Sequence, residues 1–230
     1  ITIINYYIHS ILTAKKLGYN TIIYTNVPEP FEGIANEVIN MEIIEDSSVW
    51  VNLKLKVLEE RNDDFCLIDP DVILKDKLPE IEDGIMFDTY EIGNWEKEYK
   101  DAVNYLTEIG IGDIFDFWDN KQRPVINCGI FYIKSQKLKD EFVKNWKIYR
   151  QWLLDNTSSD QIDIDATAMI GEEFLITLIS EKLETKRYPL NDYMGQDGRY
   201  HIHYFGPNKF KNPIVPTDSI IEYGDNKKLF

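Results

Sequence analysis

Two carboxylates one residue apart, Asp69 and Asp71, are the side chains of this chain best placed to do chemistry. They close the apolar run Phe65-Cys66-Leu67-Ile68, and a second run, Val72-Ile73-Leu74, follows at once. This pattern predicts a buried strand that delivers both acids at its end. Side chains two apart on a strand point the same way, so the pair can hold one divalent cation. Hard oxygen ligands suit Mg2+ or Mn2+ better than Zn2+. The plainer alternative is a strand-to-turn junction, where Asp and Pro are at home. His201 and His203 alternate with apolar residues, so on a strand they too share a face. Glu172 and Glu173 stand near the start of a predicted helix, where solvated acids facing the helix dipole are the ordinary reading.

Apolar periodicity predicts the elements that position these residues. Helices are expected from about Ile3 to Leu17, ended by Gly18, and from about Val49 to Arg61, capped by Ser47. The second should bury Trp50, Leu53, Val57 and Leu58. Short strands are expected at Thr21–Tyr24, Val38–Met41 and Gly84–Asp88, and a longer one at Pro124–Ile133, interrupted by Asn127 and Gly129. An amphipathic helix from Leu138 to Leu154 carries Phe142, Trp146, Tyr149 and Trp152, and another runs to Leu183 with the Glu172-Glu173 pair near its start. Residues 91–120 mix aromatics with acids and predict a helical insertion over part of a cleft, on the acceptor side. Such an order predicts a single α/β domain over residues 1–230 with a mostly parallel central sheet, and ligands at the carboxyl ends of its strands.

Composition narrows the partners. With 25 Lys and Arg against 40 Asp and Glu the net charge is -15, a field that repels nucleic acid and anionic lipid. Cys66 and Cys128 lie inside apolar runs, as free cysteines of a reducing, cytoplasmic protein do. No apolar run reaches the roughly 18 residues of a transmembrane segment, and no signal-peptide pattern opens the chain. The first residue is Ile1, which leaves room for a first strand upstream.

Three stretches together resemble a family. Trp50–Leu55 leads into Leu67-Ile68-Asp69-Pro70-Asp71-Val72; Asn127-Cys128-Gly129-Ile130-Phe131 follows; and His203-Tyr204-Phe205-Gly206-Pro207-Asn208-Lys209 closes the set. They resemble the Asp-x-Asp, Asn-x-Gly and His-x-x-Gly-x-x-Lys elements of nucleotide-sugar-dependent glycosyltransferases of the GT-A fold. The likeness is to the glycogenin-like and bacterial galactosyltransferase-like branch and its uncharacterised relatives. The resemblance implies a GT-A-like domain that moves a sugar from a nucleotide diphosphate sugar, a UDP-sugar by preference, to a hydroxyl of a glycan, protein or small molecule. It implies Mn2+ or Mg2+ held by Asp69, Asp71 and His203. Lys54, Asp69, Gly206 and Lys209 would face the donor diphosphate, with a solvated surface lysine the ordinary alternative for Lys54. Asn127 would hydrogen-bond the donor sugar, or else simply satisfy nearby backbone. Glu172 or Glu173 would act as general base in an inverting enzyme, or orient the sugar in a retaining one. Asp160-Gln161, Asp163, Asp165 and Asp88 are further acid candidates.

The chain departs from the family where it opens on a helix, and where Phe210 follows Lys209 in place of a Pro-Trp pair. Two rival readings stand beside this one. The first is a haloacid-dehalogenase-type Mg2+-dependent phosphatase with Asp69 as nucleophile and Asp71 as acid and base. The second is a non-catalytic sugar-nucleotide or carbohydrate binding module.

Overall fold

The computed structural model describes residues 3–41, 51–91, 95, 99–156, 169–191 and 198–203. Helix α1 (Ile3–Lys16) ends at Gly18, whose positive φ of 87° supplies the left-handed turn that glycine adopts without strain. Strands β1 (Ile22–Thr25) and β2 (Glu37–Asn40) pair in parallel. Helix α2 (Val51–Glu60) buries Leu55, Val57 and Leu58, whereas Leu53, expected inside, is 40% exposed. Ser47 and Trp50 lie outside the described residues.

The acidic stretch is not one strand. Strand β3 (Leu67–Ile68) stops at a turn in which Val72 N donates to Asp69 O, 3.0 Å, across Pro70, and β4 (Val72–Leu74) then leaves in another sheet. Proline carries no N–H to extend a ladder, so the two acids flank a turn rather than alternate along a strand. Strand β5 (Ile85–Phe87) leads through Asp88 to β6 (Tyr90–Glu91), and helix α3 (Lys100–Glu108) lies in the predicted insertion. The aromatics of that insertion do not line a cleft: Trp95, Tyr99, Phe115 and Trp118 are buried in the main core.

The predicted strand at 124–133 splits into β7 (Val125–Ile126) and β8 (Ile130–Ile133), separated by Asn127-Cys128-Gly129. Helix α4 (Gln136–Asn156) buries Phe142, Trp146 and Tyr149 as its pattern requires, and Trp152 packs partly buried beside them. A π-helical turn, Ile170–Phe174, opens into helix α5 (Leu175–Lys182), followed by β9 (Arg187–Pro189) and β10 (His201–His203). Gly171 lets the π turn lie against α4, since a Cβ there would sit 2.7 Å from Tyr149 and 3.0 Å from Trp146.

The class is mixed α/β, as expected, but the described strands are not mostly parallel. In the four-stranded sheet, ordered β3-β8-β5-β9, β8 runs antiparallel to both β3 and β5, and β5 runs parallel to β9. The segment after β6 brings the chain back so that β8 enters between two earlier strands against their direction. Strand β10 pairs antiparallel with β4, and β6 with β7. Among the described residues, no helix is long and apolar enough to cross a membrane.

Candidate active site

Three separate stretches meet where β3 ends. Asp69 N donates to Gly129 O, 2.8 Å, which ties the acidic turn to the Asn127–Gly129 link beside it. His203, carried in by β10 on the far side of β4, turns its Nε2 toward Asp71 Oδ1 at 3.6 Å. Gly129 makes room for that ring, because a Cβ would lie 2.2 Å from His203 Cε1 and 2.7 Å from Nδ1. The Gly of the Asn-x-Gly stretch thus admits the imidazole that faces the Asp-x-Asp turn. From α1, Tyr6 and Tyr7 adjoin the acids: burial chiefly, then Asp71 for Tyr6 and both acids for Tyr7, push the phenols up.

Asp88, at the end of β5, holds both histidines. His203 Nδ1 is 2.5 Å from Asp88 Oδ2 and His201 Nε2 is 2.6 Å from Oδ1, while Asn191 Nδ2 donates to Oδ1 at 3.1 Å. His201 and His203 do share a face of β10, as their alternation predicts. Burial works to raise the Asp88 pKa, but hydrogen bonds from the two rings outweigh it and hold the carboxyl below the usual range. For His203, burial opposes charge, yet Asp71 and Asp88 dominate and raise it to about 9. Nδ1 is held by Asp88 while Nε2 is turned to Asp71, so an outer carboxylate fixes the ring as it does for metal-binding histidines.

Lys54 is no surface lysine. Its side chain is 16% exposed, and Nζ lies 2.7 Å from both Asp69 Oδ1 and Glu172 Oε1. Burial pulls its pKa down, but the two carboxylates more than reverse this. Asp69 is raised by burial, a tendency opposed by Lys54 and reinforced by Asp71. Glu172 and Glu173 are not solvated acids at a helix start either, being 3% and 7% exposed in the π turn. Burial raises Glu172 to about 7 against the pull of Lys54.

Asn127 and Glu173 belong to a second network. Asn127 Nδ2 donates to Glu91 Oε1 at 2.7 Å, and Gly129 N donates to Asn127 Oδ1 at 3.0 Å, so this amide does serve backbone. Tyr99 Oη lies 2.8 Å from Glu91 Oε2 and makes a short contact to Glu173 Oε2, whose Oε1 accepts from Cys128 N at 3.3 Å.

Gly206, Lys209, Asp160, Gln161, Asp163 and Asp165 lie outside the described residues. The sequence marks Asp88 only as a further acid candidate, although an Asp closing a strand, as Asp69 does, is the signal it carries. Glu91, Tyr99 and Asn191 carried no signal of their own, since nothing local marks a buried acid or amide.

The residue types, two carboxylates and an imidazole, suit a hard divalent cation. Asp71 and His203 face each other, whereas Asp69 is paired with Lys54. Among the described residues no three His, Cys, Asp or Glu side chains are gathered as a metal-holding group. The chain matches no family model, no curated protein and no solved structure, which leaves the geometry of these side chains to carry the functional reading.

Proposed function

We propose that this protein is a metal-dependent glycosyltransferase of GT-A type that moves a sugar from a nucleotide diphosphate sugar, preferably a UDP-sugar, to a hydroxyl acceptor. One observation carries this: Asp69 and Asp71, Gly129 and His203, from stretches far apart in sequence, converge on one turn with the glycine shaped around the histidine. All three stretches are those through which the chain resembles that family. A bound Mn2+ or Mg2+ would stabilise charge on the leaving diphosphate as a Lewis acid.

The chain's own residues supply the rest. Asp71 and His203 Nε2 would hold the ion, with Asp88 locking the ring that presents Nε2. Lys54, beside Asp69 and Glu172, would bring a positive charge to the edge of the diphosphate in a protein of net charge -15. Glu172, raised to about 7, has the basicity that suits a general base near neutral pH. By the resemblance, Lys209 and the backbone at Gly206 would also meet the diphosphate.

Isothermal titration of UDP with and without Mn2+, on the native chain and on Asp71→Ala, tests the assignment. Binding that requires the metal and disappears in the variant is expected. Failure of every nucleoside diphosphate to bind in the presence of metal would remove the main support. Phosphate release from a general phosphatase substrate, abolished in Asp69→Asn, would favour the phosphatase instead.

A further inference from the structure

Glu91 and Glu173 meet through Tyr99 with no cation between them. Tyr99, Glu91 and Glu173 are 0%, 3% and 7% exposed, and no ion pair involves either acid among the described residues. Nearby charges are committed elsewhere. Lys54 serves Asp69 and Glu172, while Arg123, 5.6 Å over the Phe174 ring, pairs with Asp119 and Glu181. Cys128, the other titratable neighbour, has its thiol pushed well up, chiefly by burial.

A phenol carries one hydrogen and can donate to one acid only. Two ionised carboxylates against the same Oη would leave an unscreened repulsion and a buried charge without a donor. The remaining contacts decide which acid is ionised. Apart from the shared phenol, each acid has one donor at Oε1, and Glu91 has the closer one, Asn127 Nδ2 at 2.7 Å, which better suits an anion. Glu173 has the longer one, Cys128 N–H at 3.3 Å, and its Oε2 lies in a short contact with the phenol oxygen, close enough for a proton on either atom to serve it.

We propose that Glu173 is a neutral carboxylic acid at physiological pH, its Oε2–H donating to Tyr99 Oη while the Tyr99 O–H donates to ionised Glu91. This satisfies every polar atom of the network in one direction, from Cys128 N–H through Glu173 and Tyr99 to Glu91. Burial, then Glu91 and Glu172, push the Glu173 carboxyl upward in agreement. The device clamps the Asn127–Gly129 link from both sides: Glu173 holds the Cys128 backbone and Glu91 orients the Asn127 amide. Glu91, Tyr99 and Glu173 are therefore positioning residues. The assignment stands on the hydrogen-bond inventory; only its corollary, that Glu172 and not Glu173 is the acid able to accept a proton from an acceptor, rests on the transferase proposal.

Infrared spectroscopy of the full chain in EDTA tests it without donor or metal, so failure of sugar transfer would leave the result standing. At about pH 8.5, where a Glu172 titrating near 7 is ionised, a protonated-carboxyl stretch sensitive to deuterium exchange is expected. It should vanish in Glu173→Gln and persist in Glu172→Gln. Glu173→Gln should also keep the parental melting midpoint, because its amide reproduces one acceptor and one donor, while Glu173→Ala loses it. Should Glu173→Gln not fold, carboxyl-labelled glutamate in the native chain, followed by NMR, should retain one neutral carboxyl whose signal moves in Tyr99→Phe. Absence of a neutral carboxyl in the native chain, or a band that survives Glu173→Gln, overturns the proposal.

Discussion

Gly129→Ala probes the packing that joins the three stretches. The added Cβ would lie 2.2 Å from His203 Cε1, 2.7 Å from its Nδ1 and 3.1 Å from Asn127 Oδ1, so something must move. Backbone movement is resisted, since Gly129 O accepts from Asp69 N and Gly129 N donates to Asn127. The histidine must therefore swing away and give up its 2.5 Å bond to Asp88. Overpacking of this kind costs about 1–3 kcal/mol, and a hydrogen bond to a charged partner is worth about 1.5–3 kcal/mol. A total near 3 kcal/mol lowers Tm by roughly 6–12 °C in a chain of this size. Thermal unfolding in EDTA would register the loss, and Mn2+ titration should show weakened binding. The double variant with His203→Ala is the decisive arm: with the ring gone, the alanine should cost almost nothing more, a coupling of about 3 kcal/mol. If Gly129→Ala melts with the parent, or its cost persists undiminished without the ring, the packing argument fails.

Lys54→Met leaves Asp69 and Glu172 buried without their cation, and breaking a buried pair in this way costs about 3–5 kcal/mol. Urea unfolding should show that deficit at pH 8 and a smaller one at pH 5, where Glu172, raised to about 7, is protonated; equal deficits at both would contradict it. The metal-free native chain should also lose stability as pH rises. His203, near 6.5 unfolded and raised to about 9 in the fold, contributes stability that is complete below pH 6.5 and lost as pH climbs through 9. That shift corresponds to about 3 kcal/mol at most, and Glu172, raised to about 7, acts in the same direction from about pH 4.3 upward. A urea midpoint that falls between pH 6 and 9 in the parent, and falls less in His203→Gln, is the expected record; a flat parental profile would be the contrary result.

Local pattern determined much of this protein. The periods of α1 and α4, the glycine stop at Gly18, the β10 alternation that turns His201 and His203 to one side, and the apolar setting of Cys66 and Cys128 are properties of neighbouring residues, and they could be read directly. The candidate acids Asp69 and Asp71 were equally visible, because carboxylates between apolar runs are costly wherever the chain folds. Tertiary structure decided what those acids do. Pro70 turns the strand so that β3 and β4 join different sheets, and β8 enters antiparallel, choices set by strand partners distant in sequence. Whether Lys54, Glu172 and Glu173 were solvated or buried depended on which elements close over them, a property no single helix encodes. Nor could sequence pair Asp88 with His203, or Glu91 with Tyr99 and Glu173, because a hydrogen bond between distant side chains leaves no local trace until packing removes the water that would otherwise serve both.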